Sequence, residues 1–248
     1  MMNKSTTAIG IIPARLASTR FPKKVIAPLL GKPLVQYIWE AAAKAKSLSA
    51  VWVAVDDPEV VRVVEAFGGK AVMTPSELPS GSDRVAYLAK DCEAEIVVNL
   101  QADEPLLPAY AIDKLVELLK NRPEFDIATL VVRKNTPSLL EDPNVVKCVS
   151  SANQRALYFS RKPLGSSPDG SFLKHLGIYA YRKQTLLKLA GISPSPLELT
   201  EKLEQLRALE NGFSIGVCLV SEDTLAVDVP SDLEKVERVL REKPGVVI

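Results

Sequence analysis

The chain has 248 residues, 31 Lys and Arg against 30 Asp and Glu, and 47% apolar positions, which is long enough to bury a sizeable core and too apolar for disorder. A net charge of +1 excludes the dense basic face that counterion release on nucleic acid, or attraction to an acidic membrane, requires. The balance hides a split: Lys4, Arg15, Arg20, Lys23, Lys24 and Lys32 give the first 39 residues +6 with no acid before Glu40, which leaves −5 in the remainder.

In chain order, Ala8–Pro13 reads as a strand and Pro33–Lys46 as a helix with proline in its first turn. Val51–Val55 follows as a strand and Pro58–Phe67 as a helix closed by Gly68 and Gly69. Ser82–Asp91 reads as a helix, Ile96–Leu100 as a strand apolar on both faces, and Ala109–Asn121 as an amphipathic helix. Apolar strands separated by helices call for a parallel sheet covered on both sides, so the class is α/β, mostly parallel and Rossmann-like. Beyond about residue 126 the spacing loosens, and Ile127–Arg133, Val145–Ser150, Ala156–Ser160 and Leu176–Tyr181 read as strands. Leu199, Leu203, Leu206 and Leu209 predict one long helix over Leu197–Asn211, closed by Gly212. Phe213–Val220 and Leu225–Val229 read as strands and Ser231–Arg241 as a helix capped by Ser231. No linker-like stretch interrupts this order, so one domain is expected over 1–248, with an antiparallel insertion at about 130–185.

Chemistry is narrowed by what is scarce. Cys92, Cys148 and Cys218 form no CxxC pair, so a reducing cytosol is expected and a zinc knuckle is not. The polar Met1–Thr7 and the lack of any apolar run of ~18 residues predict neither export nor membrane insertion. With a single histidine, a metal would fall to carboxylates, which makes Mg²⁺ the default ion.

The stretch Pro13–Lys24 follows the first strand, where an open α/β sheet places its ligands. Arg15, Arg20, Lys23, Lys24, Ser18 and Thr19 supply cations and hydroxyls within twelve residues. A solvated basic loop and a polyphosphate cradle both fit that composition, and the position after strand one favours the cradle. It is neither a Walker loop nor a GxGxxG turn. Asn99–Pro105, with Asp103, ends another apolar strand, and Asp228 follows the last one; an Asp pair facing a triphosphate can hold Mg²⁺ for nucleotidyl transfer. Gly212–Gly216 matches the GxSxG string, but a helix precedes it and a strand follows, the reverse of a hydrolase elbow. A lone histidine on an apolar strand, such as His175, is more often a satisfied core residue than a ligand contact.

Taken jointly, these residues resemble the 3-deoxy-manno-octulosonate (Kdo) cytidylyltransferase family, which makes CMP-Kdo for lipopolysaccharide assembly. The resemblance runs through Ile11–Arg15, Ser18–Pro22 and Lys24, Ser80–Arg84, Asn99–Pro105, Ala156–Arg161, His175–Tyr179, Leu203–Arg207 and Val227–Pro230. It implies a nucleotide-diphospho-sugar transferase sheet with an antiparallel dimerisation insertion, a cytoplasmic homodimer, and CTP, Kdo and Mg²⁺ as reactants and cofactor. On this resemblance Arg15, Arg20 and Lys24 hold the triphosphate, with Ala14, Ser18 and Thr19 beside it. Ser80 and Arg84 lie near base and sugar, and Asp103 and Asp228 bind the metal. Gln101, Arg161, His175, Tyr179, Glu204 and Gln205 line the acid-sugar pocket, with Arg161 as the fork for the sugar carboxylate.

Lys23 and Ala102 stand where the family usually has glycine, so extra charge at the cradle and a more constrained backbone are expected there. An 8-amino Kdo analogue or a sialic acid fits the same pocket residues. A non-catalytic nucleotide-binding regulator could dispense with one of the two aspartates, and this chain keeps both.

Overall fold

The computed structural model describes residues 7–242, so Lys4 and nearly all of the polar opening Met1–Thr7 lie outside the described residues. In chain order these form β1 (Ala8–Ala14), a 3-10 turn (Lys24–Ile26), the hairpin β2 (Pro28–Leu29) and β3 (Lys32–Pro33), α1 (Leu34–Lys44) and β4 (Ala50–Val55). There follow α2 (Pro58–Ala66), β5 (Lys70–Met73), α3 (Gly81–Ala89), β6 (Ile96–Asn99), α4 (Ala109–Asn121), β7 (Ile127–Lys134), α5 (Pro137–Glu141), β8 (Lys147–Ser150) and β9 (Ala156–Ser160). The chain continues through β10 (Phe172–Arg182), α6 (Lys183–Ala190), α7 (Pro196–Glu201), α8 (Gln205–Glu210), β11 (Ile215–Val220) and α9 (Pro230–Glu242). The described residues fall into two compact units. An N-terminal unit comprises Thr7–Ala94, Asn99–Asp113 and the chain from Thr224, and a central unit comprises Glu95–Val98 and Lys114–Asp223. No helix among the described residues is long and apolar enough to cross a membrane.

In the N-terminal unit β1, β4 and β5 run parallel in that order. β1 is buried at every position but Pro13, and Gly10 leaves room for its neighbours: a Cβ there would stand 2.9 Å from Leu100 Cδ1 and 3.0 Å from Leu48 Cδ1, so those side-chain ends would have to shift. Helix starts follow their local chemistry. Asp57 caps α2 by accepting from Glu59 N at 2.7 Å, with Pro58 in the first turn, and Ser80 Oγ caps α3 by accepting from Asp83 N at 3.1 Å.

Leu29, Leu34 and Tyr37 form one buried cluster with Val227, Val236 and Leu240, so apolar burial carries the C-terminal segment back to the mouth of β1. The strand expected at Leu225–Val229 is corrected: that stretch has no ladder, and Val227 is fixed instead by one bond from its N–H to Asp103 O at 2.8 Å. The Ser231 cap is corrected too. α9 starts at Pro230, and the Asp232 carboxylate accepts from the N–H groups of Asp228 and Val229, both at 3.1 Å.

In the central unit β11 pairs parallel with β7, while β7 with β10, β10 with β8, and β8 with β9 are antiparallel. These antiparallel strands occupy residues 127–182, close to the expected insertion. The single helix expected at Leu197–Asn211 is corrected to α7 and α8. The chain turns at Lys202, whose φ of 55° is left-handed, which leaves Leu199 65% exposed while Leu206 is fully buried. Leucine spacing records which residues prefer a core, not a one-residue break in backbone hand. Glu198 and Arg207 then join the two short helices by bonds of 2.7 and 2.6 Å.

Candidate active site

Ten of the residues singled out above meet in one cleft of about 370 Å³ in the N-terminal unit: Arg15, Ser18, Thr19, Arg20, Lys24, Ser80, Arg84, Gln101, Asp103 and Asp228. The cleft opens beyond the carboxyl end of β1, as expected of an open α/β sheet, with Gln101 and Asp103 supplied by the segment that starts at Asn99. Ala14 is fully buried at the end of β1, so its side chain belongs to the core. Exposed Arg15 and Thr19 line the mouth with half-buried Ser18.

Opposite charges interlock at the cleft floor. Lys24 Nζ lies 2.6 Å from Asp103 Oδ2, donates to Val227 O at 2.8 Å, and stands 3.7 Å from Asp228 Oδ1. Arg20 reaches the same Asp228 Oδ1 at 3.0 Å. The Lys24 side chain is only 14% exposed, whereas that of Arg20 is 67% exposed, so the Lys24–Asp103 pair is the stronger of the two. The proximity of the two aspartates, 125 positions apart in sequence, follows from the Val227 bond to Asp103.

Two departures resolve physically. Lys23 has φ 56°, the left-handed conformation that glycine adopts without cost. Its ammonium is not added to the cradle: it binds both oxygens of Glu59 at 2.7 and 2.9 Å. Ala102 is buried and is not among the residues with positive φ, so the constraint expected there is not a strain.

Other predicted contacts are already engaged. Ser80 Oγ, besides capping α3, donates to Asp83 Oδ2 at 2.6 Å. Gln101 Nε2 donates to Asn99 Oδ1 at 3.3 Å. Arg84 is 2% exposed, and its guanidinium serves Asp56, Thr74 and the carbonyl of Pro75.

Arg161, His175, Tyr179, Glu204 and Gln205 belong to the central unit. The His175 ring lies edge-on to Phe159 with centroids 4.9 Å apart, 5.5 Å from the Tyr179 ring, and its Nε2 is 2.9 Å from Thr129 Oγ1. Burial pushes its pKa down to about 3. Burial first, then the neighbouring Tyr181 and Glu204, hold the Tyr179 phenol well above its ordinary value. Arg161 donates from Nε to Glu201 O at 3.0 Å and from its two terminal nitrogens to Pro143 O at 3.1 Å and Lys202 O at 3.4 Å. A sugar carboxylate at Arg161 would have to displace some of these carbonyls. Glu204 is exposed at the start of α8, and Gln205 Nε2 is buried with no partner among the described residues.

His175 yields a direct test. A histidine whose folded pKa lies below its unfolded value takes up protons on unfolding, so its contribution is complete above about pH 6.5 and is lost as pH falls toward the folded pKa, by up to about 1.4 kcal/mol per pH unit. As the one histidine in the chain, its ring resonances are unambiguous. They are expected to stay flat from about pH 8 to about pH 5 in NMR; a midpoint near 6.5 would show a solvated imidazole.

Sequence reasoning missed Asp56 and Lys147. Asp56 follows β4 directly, so the strand-end rule that found Asp103 could have found it. Lys147 is 1% exposed inside a strand, its ammonium donating to the carbonyls of Asp142, Val145 and Arg161 at 2.9, 2.7 and 2.5 Å. A lone lysine in an apolar run carries no such signal. The GxSxG serine is structural: Ser214 Oγ lies 2.5 Å from Glu124 O and 2.7 Å from Asp126 Oδ2.

Comparison with known proteins shows the family. A family model described as Cytidylyltransferase matches residues 9–219. The 3-deoxy-manno-octulosonate cytidylyltransferase of Chloroherpeton thalassium is 43% identical over 242 residues, 95% of this chain and 98% of that protein. The 8-amino-3,8-dideoxy-manno-octulosonate cytidylyltransferase of Shewanella halifaxensis is 46% identical over 233 residues, 90% of this chain and 94% of that protein. A solved CMP:2-keto-3-deoxy-manno-octonic acid synthetase complexed with CTP superposes with a TM-score of 0.90 at 38% identity, covering 95% of this chain and 99% of that one. The chain therefore belongs to the cytidylyltransferase family, among the relatives that are named for 3-deoxy-manno-octulosonate and its 8-amino analogue.

Proposed function

We propose that this chain transfers the CMP moiety of CTP to Kdo, giving CMP-Kdo and pyrophosphate for lipopolysaccharide assembly. The observation that carries this reading is that Arg15, Arg20, Lys24, Asp103 and Asp228 line one cleft, where Lys24 pairs with Asp103 and Arg20 with Asp228. Cations there hold the triphosphate and offset the charge that develops as the sugar hydroxyl attacks the α-phosphorus and the bond to pyrophosphate breaks. Asp228 orients the attacking hydroxyl.

Mg²⁺ fits the cleft on one structural ground: a cation, the Lys24 ammonium, already rests between the two carboxylates. No group of three or more His, Cys, Asp or Glu side chains among the described residues could hold a metal, so Asp103 and Asp228 would hold the ion with phosphate and water oxygens completing its shell. When bound it would supply charge neutralisation on the triphosphate. Within the central unit, Arg161, His175, Tyr179, Glu204 and Gln205 would receive the acid sugar on the resemblance, with neutral His175 and Tyr179 as hydrogen-bonding groups. The homodimer and the cytoplasmic location belong to the same reading.

The test is pyrophosphate release with CTP or UTP against Kdo, 8-amino Kdo and sialic acid. Turnover is expected with CTP and Kdo. Preference for 8-amino Kdo would move the chain to the relative from Shewanella halifaxensis, and no release with any pair would overturn the transferase reading.

A further inference from the structure

We propose that Asp56 is a positioning residue for the nucleotide: it fixes the cradle loop to the sheet and is itself held by Arg84. The inference rests on the nucleotide reading of the cleft. Asp56 stands one residue beyond β4, and its two carboxylate oxygens serve two masters. Oδ1 accepts from the main-chain N–H of Leu16 at 2.9 Å, and Oδ2 faces Arg84 at 3.2 Å. The pair is nearly dry, with side-chain exposures of 10% for Asp56 and 2% for Arg84. Arg84 cannot swing toward a ligand without abandoning Thr74 and Pro75 at the end of β5 as well.

Leu16 sits between Arg15 and the run Ser18–Arg20, the groups that would meet the triphosphate. Residues 15–20 form no helix or ladder, and among the described residues the bond to Asp56 is the hydrogen bond that fastens the main chain of 16–19. Arg84 lines the cleft on one side, and Asp56 lines a second, shallower hollow with Leu16, Ser18 and Thr19 on the other. A fixed point of this kind sets where the cradle cations stand before nucleotide arrives, so that less ordering is left for binding to impose. Displacements of about 1 Å at such a point are enough to cost about a hundredfold. Arg84, placed at base and sugar by the resemblance, is on this geometry a brace acting through Asp56.

The experiment measures CTP binding by calorimetry without sugar, KM for CTP and for Kdo, and thermal unfolding, in wild type, Asp56→Ala and Asp56→Asn. Asp56→Ala removes both bonds and is expected to weaken CTP binding and raise its KM by about tenfold or more, with KM for Kdo within about twofold of wild type. Asparagine keeps an acceptor for Leu16 but leaves Arg84 without its counter-charge, so a smaller loss of about three- to tenfold is expected, a partial rescue that a general loss of stability would not give. If alanine does not fold, asparagine decides. Either variant, folded and binding CTP within about twofold of wild type, overturns the proposal, as does an equal loss for both substrates. A wild-type protein that binds no CTP overturns the nucleotide reading itself, a result visible before any variant is made.

Discussion

Asp103→Asn is expected to lower pyrophosphate release by about 10³-fold with CTP and Kdo, while the protein stays folded. Asparagine keeps the size and one acceptor of aspartate but removes the charge that would hold a divalent ion against the triphosphate. Asp103 is 28% exposed, and the bond that sets the local chain path uses its carbonyl, to Val227 N, not its carboxylate. Lys24 retains Val227 O at 2.8 Å and Asp228 Oδ1 at 3.7 Å when Asp103 is neutral. The expected pattern is therefore a collapse of turnover with a thermal midpoint only a few degrees lower. Turnover retained at a tenth of wild type or more, an amount that positioning alone could explain, would remove Asp103 from the metal site.

What could be read from sequence follows how local each feature is. β1, β9 and α4 were legible because their apolar runs and periodicity are self-contained. The cradle was legible because its cations lie within ten residues of one another. Asp103 was visible through the strand-end rule. The four-residue β5 was not, since Lys70 opens it and rests its ammonium 4.5 Å from the Trp52 ring centroid, a contact no spacing encodes. Nor was the break between α7 and α8, which depends on one left-handed residue, Lys202. The pairings that organise the cleft cross long separations: Arg84 to Asp56 over 28 positions, Leu16 to Asp56 over 40, Arg20 to Asp228 over 208. Residue types announce that a cleft binds phosphate; only the fold says which cations are free to do so and which are already committed to bracing it.

Lys24→Met is expected to produce a gain as well as a loss. The variant should bind Mn²⁺, a spectroscopic stand-in for Mg²⁺, at least about tenfold more tightly than wild type in the absence of nucleotide, while CTP affinity falls by about tenfold or more. The reason lies in the charge pairing at the cleft floor. Without nucleotide the two carboxylates are neutralised from within, by Lys24 at 2.6 Å from Asp103 and Arg20 at 3.0 Å from Asp228. A divalent ion must displace an ammonium that is largely shielded from solvent and has no phosphate to go to. On the proposed reading, the phosphates of CTP would give Lys24 and Arg20 new partners and free the carboxylates for a metal, in which case nucleotide and metal would each raise the other's affinity by the same factor. Methionine fills the space of the lysine stem without charge, which removes the competitor and the coupling together. Free Mn²⁺ measured by electron paramagnetic resonance, with and without CTP, reads both quantities directly. Wild-type protein should take up Mn²⁺ appreciably only with CTP present, and the variant should take it up in either case. A variant that binds Mn²⁺ no better than wild type would show that Lys24 does not compete with the ion, and would leave the cleft with cations and carboxylates that act on the nucleotide independently.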